Sequence, residues 1–77
     1  MDINSFIEKF TEQFDDLGGA EVGSETKFRD LPSWSSIVAL SVKAMIEDEY
    51  GVEIEFSDIR SSQTVKDIFD KVVAKVG

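Results

Sequence analysis

Apolar residues at Ile3, Phe6, Ile7, Phe10, Phe14 and Leu17 follow steps of three and four, the spacing of one helical stripe. Asp2, or Ser5 paired with Glu8 as a capping box, supplies the start of this helix, and Gly18-Gly19 the stop. Its phenylalanines read as a core face. From Asp15 to Ser35 no period is sustained, and Gly18, Gly19, Gly23 and Pro32 mark a connection of about 20 residues. Phe28 and Leu31 are the residues placed to pin that loop to the core.

Ser36 to Tyr50 reads as the second main helix, with N-cap oxygens offered by Ser33, Ser35 and Ser36 around Trp34 and a C-terminal stop at Gly51. Ala39, Val42, Ile46 and Tyr50 form its broad apolar face. A second, narrower stripe holds Ile37, Leu40 and Ala44, with Ser41, Glu47 and Asp48 among them. A helix apolar on two sides either packs its second stripe under the long loop or presents it to a partner. Val52 to Phe56 alternates apolar and acidic like a strand, but no second strand exists to pair with it, so it reads as extended loop. Ser57-Asp58-Ile59 reads as one helical turn. Thr64 and Asp67 resemble a capping box opening a last helix with its stripe at Val65, Ile68, Phe69, Val72, Val73 and Val76. The pattern predicts an all-α bundle over residues 1–77: three main helices, one short helix, and a long loop between the first two main helices.

Composition then limits what such a bundle does. With no cysteine and no histidine, the chain lacks a thiolate nucleophile and the commonest general base and metal ligand. A small core leaves little room for a substrate pocket, so the chain does not read as an enzyme. Sixteen acids against eight bases give −8, which repels nucleic-acid backbones and anionic membrane surfaces and favours basic protein partners. No apolar run is long enough to span a bilayer, and Met1-Asp2-Ile3-Asn4 does not open a signal peptide. A cytoplasmic monomer is expected.

The acids follow no calcium-loop spacing and no fixed pair flanks a cleft, so they read as solvated helix faces, and no metal site is expected. No glycine motif cradles a phosphate. The serines before the second helix have a bland role in capping. A helix N-terminus also favours phosphate, so a serine there is a sensible point for a phosphoester.

Three segments carry a family resemblance: Trp34-Ser35-Ser36-Ile37, Ile46-Glu47-Asp48-Glu49-Tyr50-Gly51-Val52-Glu53-Ile54, and Thr64-Val65-Lys66-Asp67-Ile68. In order and spacing the chain resembles an acyl carrier protein over essentially its whole length. The resemblance implies that Ser36 receives covalent 4′-phosphopantetheine from a phosphopantetheinyl transferase, with Ser35 a rival acceptor. The arm would carry acyl groups as thioesters for acyl-transferring and ketosynthase-type enzymes of fatty-acid, polyketide or related pathways. Trp34, Ile37, Leu40, Ser41, Ala44, Glu47 and Asp48 would form the docking face. Ser35 stands where the family usually has an acid and Ile37 where it has leucine, and acids are sparse on the first turns of the second helix. Dedicated partner enzymes are therefore expected. A long acyl chain is expected to slip among Phe6, Phe10, Ile46, Phe69 and Val72. The other readings are an aminoacyl or peptidyl carrier, and an unmodified helical interaction module whose serines only cap.

Overall fold

In a computed structural model describing residues 2–77, the chain folds into four helices: α1 (Ile3–Thr11), α2 (Ser36–Tyr50), α3 (Phe56–Arg60) and α4 (Val65–Val76). No strand forms among the described residues; Lys27 and Thr64 make one isolated antiparallel bridge. Met1, the first residue of the segment that did not read as a signal peptide, lies outside the described residues.

Of the two starts the sequence offers α1, the structure uses Asp2, whose carboxylate accepts the Asn4 N–H at 3.1 Å. The expected stop at Gly18-Gly19 is overturned, because α1 ends at Thr11. The Thr11 hydroxyl donates to the Glu8 carbonyl at 2.8 Å, and Gln13 and Phe14 continue as single turns. Phe14 nevertheless reaches the core at 8% exposure, its ring 5.4 Å from Phe10 and 5.9 Å from Trp34.

Phe28 pins the long loop as expected. It sits fully buried in a short 3-10 turn (Phe28–Asp30), edge-on to Phe10 at 6.1 Å and to Trp34 at 4.8 Å. Each such aromatic contact adds about 0.5–1.5 kcal/mol beyond burial. Leu31 packs half-buried against the same core. The loop also serves α4, whose first N–H groups have no partner within the helix. Val65 donates to the Thr26 carbonyl at 3.1 Å and Lys66 to that of Ser24 at 2.9 Å. The Thr64–Asp67 capping box forms as the sequence predicts.

Ser36–Tyr50 is helical over the predicted span, and Gly51 closes it with φ +68, a left-handed conformation suited to glycine. Val42 and Ile46 are fully buried, but Ala39 and Tyr50 are only half-buried, while Val38 and Met45 complete the inner face. Val52–Glu55 forms neither helix nor strand, with the backbone extended at Glu55 and Ile54 fully buried, before the short α3. The Lys71 ammonium on α4 holds α3 in place. It donates to the Asp58 carbonyl at 2.7 Å and to the hydroxyls of Ser61 and Ser62 at 2.6 and 2.8 Å. Helices α1, α2 and α4 thus enclose one aromatic-rich core, with α3 and the loop covering its ends.

Candidate functional site

The site is the N-terminal end of α2 and the surface running down from it. Aromatic packing positions this end: Trp34, two residues before the helix, lies against Phe28 and Phe14. Just upstream, Ser33 has φ +63 and its hydroxyl is hydrogen-bonded to the Asp16 backbone, tying the start of the long loop to its end. Trp34 is consequently half-buried, packed against the core as part of the wall that orients the helix start.

The two candidate serines have different jobs. Ser35 is the N-cap: its backbone is extended, with φ −158 and ψ 174, and its Oγ accepts the Val38 N–H at 3.3 Å. Ser36 is the first helical residue. It is exposed, and its hydroxyl has no hydrogen-bond partner among the described residues. A side chain here points away from the helix ladder, beside N–H groups and the positive end of the helix dipole.

The second stripe of α2 does not pack under the loop. Ile37 is 77% and Leu40 56% exposed, and Ala44, Glu47 and Asp48 are exposed along the same ridge. Ser41 is half-buried. The expected acidic rim is partly neutralised, because Lys43 bonds Glu47 at 3.3 Å, while Asp48 has no ion-pair partner among the described residues.

This ridge separates two grooves. Toward α1 lies an acidic one of about 750 Å³, lined by Glu8, Glu12, Ser41, Ala44, Met45, Asp48 and Glu49 with Lys9 and Gln13. Toward α3 lies one of about 630 Å³, mostly apolar, bounded by Trp34, Ser35, Ser36, Ala39, Leu40, Phe56 and Ile59. Arg29 and Arg60 complete its walls. The sequence reading did not single out these arginines; 31 positions apart, they are brought together only when the loop packs on α3.

Titration is perturbed away from this site. The N–H groups of Gln63 and Thr64, which donate to Asp67 at 2.9 and 3.0 Å, hold its carboxyl below the usual carboxylate range. A hydrogen bond from Lys66 to Asp70 and their mutual attraction raise the Lys66 ammonium. Both are helix-capping and surface features with no part in a site.

The arrangement offers an exposed, unpartnered hydroxyl on a rigid helix start, with an apolar groove beside it and two cations on the groove walls. That suits a tethered phosphoester with an organic arm, and it fits the comparisons. A family model described as a phosphopantetheine attachment site matches residues 7–72. No curated protein and no solved structure matches the chain. Domains of this family hold 4′-phosphopantetheine covalently, act with a phosphopantetheinyl transferase and acyl-handling enzymes, and are generally carriers without catalysis of their own. With the match spanning all four helices but the ends of α1 and α4, the chain belongs to the phosphopantetheine-attachment family of carrier domains.

Proposed function

We propose that residues 1–77 act as one acyl carrier domain, without catalysis of its own, whose arm is attached to Ser36. The observation that carries this reading is the contrast between adjacent serines: Ser35 is committed to the helix cap, and Ser36 presents a free hydroxyl in the groove. During loading Ser36 Oγ attacks the phosphorus of a phosphopantetheinyl donor. The Oγ–P bond forms, the donor's phosphoanhydride P–O bond breaks, and the hydroxyl proton leaves to a base of the transferase. The arm supplies the thiol that a cysteine-free chain lacks, so that acyl groups travel as thioesters. Tethering raises the cargo's effective concentration at each partner's active site.

Ile37, Leu40 and Ala44 give the docking ridge its apolar contact, with Ser41, Asp48 and Glu47 along it and Trp34 fixing its upper end. Complementary charge sets encounter rate and register more than affinity. Glu47 is already paired with Lys43, and no acid lies in the first turn of α2, so docking leans on apolar contact and favours dedicated partners. Serine and aspartate cap a helix about equally well, so Ser35 keeps the cap and forgoes the charge. Ser35→Asp should then speed exchange with a general acyl-transferring enzyme; an unchanged rate that already equals a conventional acidic carrier's argues against dedicated partners.

The absence of cysteine gives a direct test. Protein produced with a broad-specificity transferase should titrate one thiol per chain with a disulfide reagent, and Ser36→Ala none. No thiol in the wild type would favour the unmodified interaction module. Conversion of that thiol to a hydroxylamine-labile thioester by an acyl-loading enzyme, and not by an aminoacyl-loading one, separates the two carrier classes.

A further inference from the structure

We propose that Arg29 and Arg60 form a two-guanidinium clamp for the phosphodiester on Ser36 and lay the arm along the apolar groove between α2 and α3. This inference rests on Ser36 as the attachment residue. Arg29 and Arg60 are the only arginines in the sequence, and both line the apolar groove that contains Ser36. In a chain carrying twice as many acids as bases, neither forms an ion pair among the described residues, whereas Lys9, Lys43 and Lys66 each do. Two unpaired guanidiniums at one groove repel each other unless an anion joins them.

Their geometry is prepared. Arg29 Nη1 donates to the Arg60 carbonyl at 2.8 Å, and its guanidinium carbon stands 5.3 Å from the centre of the Phe28 ring. That anchor fixes the planar group at the cost of one donor and leaves the others unspent. Guanidinium suits phosphate because its parallel N–H groups match two oxygens at once. A phosphodiester on Ser36 Oγ stays anionic throughout the neutral range and begins inside the groove. A carboxylate at the far end of a cargo would have to fold back the full length of the arm to reach the same cations. Trp34, Leu40 and Phe56 then offer the arm an apolar path.

The test uses the holo-protein, with tandem mass spectrometry first locating the arm. In the wild type, apo-to-holo conversion should shift the side-chain N–H resonances of Arg29 and Arg60. The phosphorus resonance should differ from that of a phosphopantetheinyl-serine peptide, and the arm's geminal methyls should show cross-peaks to Trp34 and Leu40. In Arg29→Gln/Arg60→Gln the phosphorus resonance should return to the peptide position and the cross-peaks should be lost. Arginine resonances that do not move on modification of the wild type, or cross-peaks that persist in the double variant, would overturn the clamp while leaving Ser36 as the attachment residue. An arm found at another residue would overturn both. The wild-type comparison requires no substitution and so holds even if the double variant folds poorly.

Discussion

Replacing Ser35 and Ser36 by alanine, one at a time, should separate structure from function across a single peptide bond. Ser35 Oγ accepts the Val38 N–H at 3.3 Å, and Val38 itself is 4% exposed. Truncating an N-cap serine costs about 0.5–2 kcal/mol. The long bond and the exposed Ser35 place this cap near the middle of that range, about 1 kcal/mol. For a domain of this size that corresponds to a melting temperature lower by about 4–8 °C. Ser36 holds no bond to lose, and alanine is the better helix former by no more than about 0.7 kcal/mol. Ser36→Ala should therefore match or slightly exceed the wild type in stability. Urea and thermal unfolding followed by circular dichroism give the stabilities, and intact mass after transferase treatment gives the modification. Ser35→Ala should be destabilised and still modified; Ser36→Ala should be stable and unmodified. If Ser36→Ala unfolds earlier than Ser35→Ala, or if Ser35→Ala alone escapes modification, the assignment of cap and acceptor is wrong.

Lys71→Met should destabilise the fold by about 1.5–3 kcal/mol, the range for hydrogen bonds to a charged group, and hydrogen exchange should localise the loss to α3. Tyr50 has a buried hydroxyl with no hydrogen-bond partner among the described residues, so Tyr50→Phe should be neutral or stabilising by about 1 kcal/mol; a destabilisation would reveal a partner. Asp67 has a lowered folded-state pKa, so its contribution to stability is full above its unfolded value of about 3.9 and is lost as pH falls through the folded value. The wild type should accordingly melt above Asp67→Ala at neutral pH, with the gap closing only in strong acid. A constant gap down to that range would mean the charge is not what holds the cap.

Local signals made α2 and α4 legible, because their ends are set within a few residues by Ser35, Gly51, Thr64 and Asp67. The end of α1 was not legible from periodicity, since Phe14 stays in the core whether it is carried by helix or by turn. Asp15-Asp16 is the signal against a longer helix, two acids that would face its negative end. The exposed second stripe of α2 was visible in the sequence as a choice between loop cover and partner face, and packing removes the first. The loop spends its apolar residues on Phe10, Phe14 and the start of α2, leaving Ile37 and Leu40 uncovered. The packing of Trp34 on Phe14 and Phe28 was not legible, because both partners are distant in sequence. Arg29 and Arg60 carried no signal for the same reason, since only the docking of the loop on α3 makes them neighbours.

The attachment of the arm at Ser36 is tested most directly by peptide mapping of transferase-treated protein with fragmentation that resolves Ser35 from Ser36. Attachment at Ser36 requires one phosphopantetheinyl group, on Ser36 alone, in both the wild type and Ser35→Ala. An arm on Ser35, or a chain that stays unmodified beside a carrier the same transferase loads, would contradict it.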